Sequence, residues 1–258
     1  MDKRGNKRTL NEEKMNIIEG RKPVLEALRS GRTVHRIILA QGIREDAVIR
    51  EIMELAQRNS ISVQWMDRQE ISDLSSGDVH QGVLAQTEAY RYKTLESIIR
   101  KAKDRQEPPF VIVLDRITDP QNLGSIIRTA EGCGAHGIVI PRRRACGVTP
   151  AVVKASAGAV EYVPIARVVN ITRTLNWLKQ QGFWIIGADM EGNPYYLTDL
   201  KGSVALVLGS EGRGMGRLVK ENCDTLVSIP MMGRVQSLNV SVAGAILMYE
   251  VLRQRRDV

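Results

Sequence analysis

The 258-residue sequence predicts an α/β protein in two parts, a small N-terminal α/β unit followed by a larger one built on a parallel sheet. Three observations lead there. From residue 108 onward, short all-apolar runs alternate with helical stretches, the pattern of strands buried on both faces. A charged segment, 91–109, ends in Pro108-Pro109 and separates that region from a shorter one of mixed patterning. Hydrophobic residues make up 43% and charged residues 26%, enough to bury a core and incompatible with wholesale disorder.

The elements follow in order. Residues 1–13 have no apolar period and read as a disordered basic tail. The first domain is assigned to 14–90, with a helix over 22–29 and a strand over 35–39. Over 45–58, Val48, Ile49, Ile52, Met53 and Ala56 share a helical stripe. Two more strands are predicted at 62–65 and 79–86. Residues 91–107 are assigned as a linker and 108–258 as the second domain. Its strands are predicted at 110–115, 137–140, 161–165, 183–188, 204–208 and 225–229. A helix over 170–181 has Asn170 as cap, Ile171, Leu175 and Leu178 on one face, and Gly182 as its stop. Ligands of such sheets lie beyond the carboxyl ends of the strands, so the segments that follow them carry the interest.

Composition narrows the function classes. Thirty-seven Lys and Arg against 29 Asp and Glu give a net charge of +8, which favours a polyanionic partner. The charge sits in islands: Lys3 to Lys14, Arg91 to Arg105, and Arg142-Arg143-Arg144. Aromatic residues are 4%, too few for a base-stacking surface, so a bound nucleic acid is expected to be held by backbone and shape. Cys133, Cys146 and Cys223 give neither a disulfide framework nor a zinc spacing. No apolar run approaches bilayer length and the first twenty residues have no secretory h-region, so a cytoplasmic protein without membrane attachment is expected.

Three segments can carry chemistry. In the run from Asp115 to Ala130, a strand is followed by a proline turn; Asn122 is placed to cap a helix that turns Ile126, Ile127 and Ala130 inward, with Ser125 and Arg128 on another face. After the strand at 204–208, Gly209, Gly212, Gly214 and Gly216 fall within eight residues around Glu211. That density suggests backbone pressed against a ligand, but neither a Walker loop nor a dinucleotide fingerprint. Beyond Ile229-Pro230, a polar loop with Gly233 leads to Ser237 as helix cap, then Leu238, Asn239 and a helix burying Val240, Ala243, Ile246 and Leu247. The histidines His35, His80 and His136 are read as structural, and no His or Cys set has metal spacing.

In this order, Asn-Leu-Gly-Ser-Ile-Ile-Arg-Thr-Ala, Leu-Gly-Ser-Glu-Gly-Arg-Gly-Met and Ile-Pro-Met-x-Gly-x-Val-x-Ser-Leu-Asn-Val-Ser-Val-Ala resemble the three motifs of the SpoU (TrmH-type) RNA 2'-O-ribose methyltransferases of the SPOUT class. Glu19-Gly-Arg-Lys-Pro-Val-Leu-Glu-Ala-Leu and His80-Gln-Gly-Val are similar to that family's small substrate-binding domain. The resemblance implies a SPOUT domain with a deep C-terminal trefoil knot, a topology the general rule against threaded loops would not have suggested. It implies a homodimer and S-adenosylmethionine as methyl donor, bound at Gly209, Ile229 and Leu238 with Gly233 and Ser237 nearby. The subfamily most alike methylates a guanosine ribose in 23S rRNA. Arg128 then corresponds to the proposed base or orienting group, Asn122 and Glu211 order the loops, and Ser237 and Asn239 line the pocket mouth. Two alternatives stay open: the same chemistry on tRNA or another rRNA position, and an RNA-binding protein without catalysis.

Overall fold

A computed structural model describes residues 17–75 and 79–256; the tail expected over 1–13 lies outside them. In chain order the elements are β1 (Ile17–Glu19), α1 (Arg21–Arg29), β2 (Val34–Ala40), α2 (Ala47–Arg58), β3 (Ser62–Met66), α3 (Arg68–Leu74), β4 (Val83–Thr87), α4 (Leu95–Asp104), β5 (Phe110–Asp115) and α5 (Pro120–Gly132). There follow β6 (Gly137–Pro141), α6 (Pro150–Ala155), β7 (Ile165–Val168), α7 (Ile171–Gln180), β8 (Trp184–Pro194), β9 (Val204–Gly209), α8 (Arg217–Glu221), β10 (Thr225–Ser228) and α9 (Val240–Arg256). By packing, residues 17–75 and 79–91 together with 148–162 form one unit, and 92–147 with 163–256 the other.

The first unit carries a four-stranded sheet in the order β1-β4-β2-β3, with β2 and β3 parallel and the other pairs antiparallel. Helix α2 starts where the Asp46 carboxylate accepts from Ile49 N at 2.9 Å, and it buries Ile49, Ile52 and Ala56. Met53, expected on that stripe, falls at its flank and stays 36% exposed. Residues 159–161, where a strand was expected to begin, form a 3-10 turn instead, and the strand is Ile165–Val168. The reason lies in the side chains: Glu161 pairs with Arg32 at 2.6 Å and the Tyr162 hydroxyl bonds Glu26, which holds this stretch to the first unit.

The second unit is built on six strands, all parallel, in the order β10-β8-β9-β5-β6-β7. All six residues of β5 are buried, as are the first five of β9, which is why these runs read as continuously apolar. Helix α4 lies inside the stretch read as a linker. Its Ile98 and Ile99 join the core with Val113, Val139 and Leu175 and Ala102 is buried beside them on the helix, while Arg100, Lys103 and Asp104 occupy the outer face and disguise the stripe.

Helix α9 closes the unit. It buries Val240, Gly244, Leu247, Met248 and Val251, leaving Ala243 and Ile246 of the expected stripe half-buried. A Cβ at Gly244 would stand 2.8 Å from Leu208 Cδ1, so glycine lets the helix settle on β9. At the far end, the Arg255 guanidinium donates to the carbonyls of Pro108, Pro109 and Gly202 at 2.8, 3.1 and 2.6 Å. It lies 5.3 Å from the Phe110 ring centre, and burial pulls its pKa down.

Candidate functional site

The ends of β5, β9 and β10 bring the three motif segments together. Helix α5 is capped by Asp119, whose carboxylate accepts from Gln121 N and Asn122 N, with Pro120 in the first turn. Asn122 is therefore not the cap expected from the sequence. Asp119 offers its carboxylate just ahead of a proline already preset for the helix, and the Asn122 side chain is left for other work.

That work joins the motifs. Asn122 Nδ2 donates to Glu211 Oε1 at 3.1 Å, and Asn122 Oδ1 accepts from Asn239 Nδ2 at 2.9 Å. Asn239 Nδ2 also donates to Glu211 Oε1, which takes a further bond from Val240 N at 3.3 Å. The Asn239 oxygen meanwhile accepts from Ser241 N and Oγ at 2.9 and 2.6 Å, so Asn239 caps α9. Ser237, expected in that role, stands exposed before it. An amide side chain supplies an acceptor for the helix and two donors for the neighbours at once, which a hydroxyl does not.

Gly209 ends β9, and a Cβ there would stand 2.2 Å from Met215 N and 2.3 Å from Gly214 C, so the glycine loop folds directly over it. The loop is fixed by Gly214 N donating to Ser210 O at 2.8 Å and by Gly216 N donating to Asp115 Oδ2 at 2.7 Å. Asp115 is buried and was not singled out in the sequence. The signal available was a carboxylate closing a run of five apolar residues.

Beside these loops lies a pocket of about 120 Å³. Its walls include Met190 and Asp189 of β8, Val227 of β10, Ile229, Met231, Ser237 and Leu238 of the connecting loop, and Leu247 of α9. Among the described residues, nothing from Met231 to Leu238 makes a hydrogen bond to the protein, leaving a run of backbone donors and acceptors free to meet a ligand. Asp189 is held by Lys220 at 3.0 Å; the Glu191 and Asp189 carboxylates keep that ammonium above its ordinary pKa. Apolar walls, free peptide groups and a carboxylate suit an adenosyl group carrying a cationic sulfonium. Of the residues expected at the cofactor, Ile229, Ser237 and Leu238 line this pocket, while Gly209 lies under the glycine loop and Gly233 stands open beside it.

Arg128 lies on the outer face of α5, exposed and without a hydrogen bond or ion pair among the described residues, apart from the Asn122–Glu211–Asn239 network. The buried histidines hold backbone. His80 Nδ1 accepts from Gly82 N at 3.0 Å with Ser72 Oγ at its other nitrogen, and His136 Nδ1 accepts from Phe110 N at 3.0 Å with Glu107 at the other. Burial lowers both pKa values. His35 is exposed. Among the described residues, no helix is long and apolar enough to cross a membrane, and no three His, Cys, Asp or Glu side chains are grouped to hold a metal ion.

A parallel-sheet domain with three strand-end loops tied together beside a pocket defines an α/β protein with its ligand site at the carboxyl ends of the strands, and likeness to known proteins makes the class specific. Residues 109–249 match the SpoU rRNA methylase family and residues 17–93 match the RNA 2'-O ribose methyltransferase substrate-binding domain. A Bacillus subtilis (strain 168) protein named as a TrmH family tRNA/rRNA methyltransferase, YacO, is 46% identical over 240 residues, covering 93% of this chain and 96% of that one. Among solved structures, the SpoU methyltransferase AviRb of Streptomyces viridochromogenes in complex with AdoMet superposes with a TM-score of 0.79 at 26% identity, over 97% of this chain and 93% of that one. An AdoMet-bound rRNA methyltransferase from Sinorhizobium meliloti does so at 0.77 and 28%, over 96% and 90%. The chain belongs to the SpoU family of RNA methyltransferases, and its methyl donor is S-adenosylmethionine.

Proposed function

We propose that this protein methylates the 2'-hydroxyl of a guanosine ribose in 23S rRNA, acting as a cytoplasmic homodimer whose 14–90 region holds the RNA and whose 108–258 region forms the knotted methyltransferase domain. The observation that carries the reading is the union of Asn122, Glu211 and Asn239, which ties three motif loops together beside a pocket ringed by unpaired peptide groups.

S-adenosylmethionine bound there supplies a methyl group already activated on a sulfonium. What remains for the protein is to place the ribose in line and to dispose of one hydroxyl proton, a transfer that calls for no metal. Ile229, Ser237 and Leu238 hold the cofactor, with Gly209 and Gly233 shaping the loops around them. Arg128 carries the reaction as a clamp. Its guanidinium offers a fork of donors matched to phosphate and hydroxyl oxygens, so it orients the target nucleotide while the proton departs late or to solvent. Glu211 has Oε1 occupied by three N–H donors and holds the loops. Asn122 and Asn239 fix it in turn, and Ser237 sits at the pocket mouth.

The rRNA assignment leans on likeness to the Sinorhizobium meliloti protein, described as an rRNA methyltransferase. Methylation of tRNA is the second reading, and the name of the Bacillus relative covers both RNAs. The test is transfer of radiolabelled methyl to total RNA from a strain lacking the gene, separated into 23S, 16S and tRNA and digested to nucleosides. Label in 23S as 2'-O-methylguanosine is the expected result. Label in tRNA would replace the substrate and keep the chemistry, and no label in any fraction, with cofactor binding also absent, would return the protein to the RNA-binding class.

A further inference from the structure

One concentration of charge in the second unit is used neither by the pocket nor by the network. Arg142, Arg143 and Arg144 follow β6 directly, and Arg167 lies on β7, the edge strand beside it. Arg167 Nη2 donates to the Arg142 carbonyl at 3.1 Å, and its guanidinium stands 4.9 Å from the centre of the Tyr92 ring. The Tyr92 hydroxyl is 3.0 Å from where a Cβ on Gly147 would be, so the ring spans from the edge strand to the far end of the arginine loop. Lys93 extends this edge, its N–H donating to Ile165 O at 2.9 Å. An open groove runs between these segments, lined by Tyr92, Lys93, Thr94, Arg142 and Arg167, with Glu96 as the one carboxylate in its wall.

Three properties distinguish this groove. Lys93, Arg142, Arg143, Arg144 and Arg167 are all exposed, and none has a carboxylate partner among the described residues, whereas other surface cations such as Arg29, Lys179 and Lys220 are paired. The arginine loop is held in an uncommon shape, Arg144 having φ 59°. Finally, Cys146 N donates to Ile117 O at 2.8 Å, which anchors the loop to the segment leading into α5, the helix of Asn122 and Arg128. Grouped unpaired cations repel one another, and an extended anion relieves that repulsion along its whole length.

We propose that this groove is a phosphodiester track: Lys93, Arg142, Arg143 and Arg167 take successive backbone phosphates of the RNA strand flanking the methylated nucleotide. The proposal rests on RNA being the substrate. The track reads no base sequence, since phosphate contacts fix register and orientation only. It adds affinity and sets the direction in which the strand leaves the reaction site.

The test is binding of a fluorescein-labelled RNA hairpin to the full chain, followed by anisotropy between about 50 and about 200 mM salt. The variant R142Q/R143Q/R167Q is expected to bind at least about tenfold more weakly and to lose about 2 from the slope of log K against log salt, at roughly 0.7 per single-strand phosphate contact. R142Q/R143Q, which leaves the Arg167–Tyr92 stack in place, is expected to lose about 1.4. S-adenosylmethionine binding by calorimetry stays at the parent value in both. An equal removal of charge elsewhere, K103Q/R105Q/R173Q, leaves the slope unchanged. A parent-like slope in both groove variants, or the same loss in the control, overturns the track alone. A parent that binds no RNA overturns the RNA reading and the track together.

Discussion

Replacing Asn239 by alanine separates two jobs that one side chain performs. It removes the cap of α9, worth about 1 kcal/mol, and two bonds from Nδ2, of which the one to the Glu211 carboxylate is the stronger. Because the site is solvent-exposed, the lower end of each hydrogen-bond range applies, and with the cap the loss comes to about 3 kcal/mol. In a chain of this size each kcal/mol moves the melting temperature by about 2–4 °C, so a drop of about 6–12 °C is expected. The assay is thermal and urea unfolding in a Trp65→Phe background, where Trp177 and Trp184 report the second unit alone. Asn239→Asp keeps the acceptor for Ser241 N but surrenders both donors and sets a carboxylate against Glu211. It should restore about 1 kcal/mol of the helix while transferring methyl as poorly as the alanine variant. If alanine costs less than about 0.5 kcal/mol, or if the aspartate variant transfers at the parent rate, the network does not organise the site.

Four further outcomes follow from the same geometry. Gly209→Ala, whose Cβ would meet the Met215 and Gly214 backbone, is expected to destabilise the second unit by about 1–3 kcal/mol and to weaken S-adenosylmethionine binding by calorimetry, whereas Gly212→Ala, with open space around it, should cost about 1 kcal/mol through its φ of 74° alone. Arg128→Ala should lower single-turnover methyl transfer about a hundredfold with cofactor affinity unchanged; a pH–rate profile governed by a group that vanishes in Arg128→Lys would refute the clamp. His136 and His80 have folded pKa values below the ordinary one, so the unfolded chain binds protons that the folded chain refuses, and stability is full above about pH 6.5 and declines as pH falls beneath it. His136→Gln should flatten that decline in urea unfolding between about pH 5.5 and 8, and an unchanged decline would show that this residue is not responsible.

Much of this was legible in the residues, and what was not has physical causes. The central strands announced themselves because a strand covered on both faces has only apolar positions, as in the runs around Ile112 and Leu206, whereas the edge strand β7, with Arg167 exposed on it, lies later in the sequence than its apolar pattern suggested. Helix α4 hid because its charged outer face dominates composition while its inner stripe is three residues wide. The two caps were displaced for one reason: Asn122 and Ser237 were judged by local spacing, whereas Asp119 and Asn239 win through side-chain geometry and through a partner 89 or more residues away from Asn122. Asp115 escaped notice because its role, holding Gly216 N, exists only once β5 and β9 lie side by side. Long-range juxtaposition of this kind leaves no periodic trace.

The pairing of β5 with β9 has a consequence for how the molecule is made. Phe110 aligns with Val204 and Asp115 with Gly209, so the central seam of the sheet joins segments with three strands' worth of chain between them. A nascent polypeptide emerging from the ribosome exposes the apolar β5 and β6 well before their neighbour exists, and the cofactor pocket, which needs Val227 through Leu247, comes into being last of all. High sequence separation slows folding, and uncovered apolar strands invite association while they wait. The pocket lacks its Leu247 wall until α9 seats against β9 and Arg255 reaches the carbonyls of Pro108 and Pro109, so methyl-donor binding waits on the closing of the sheet.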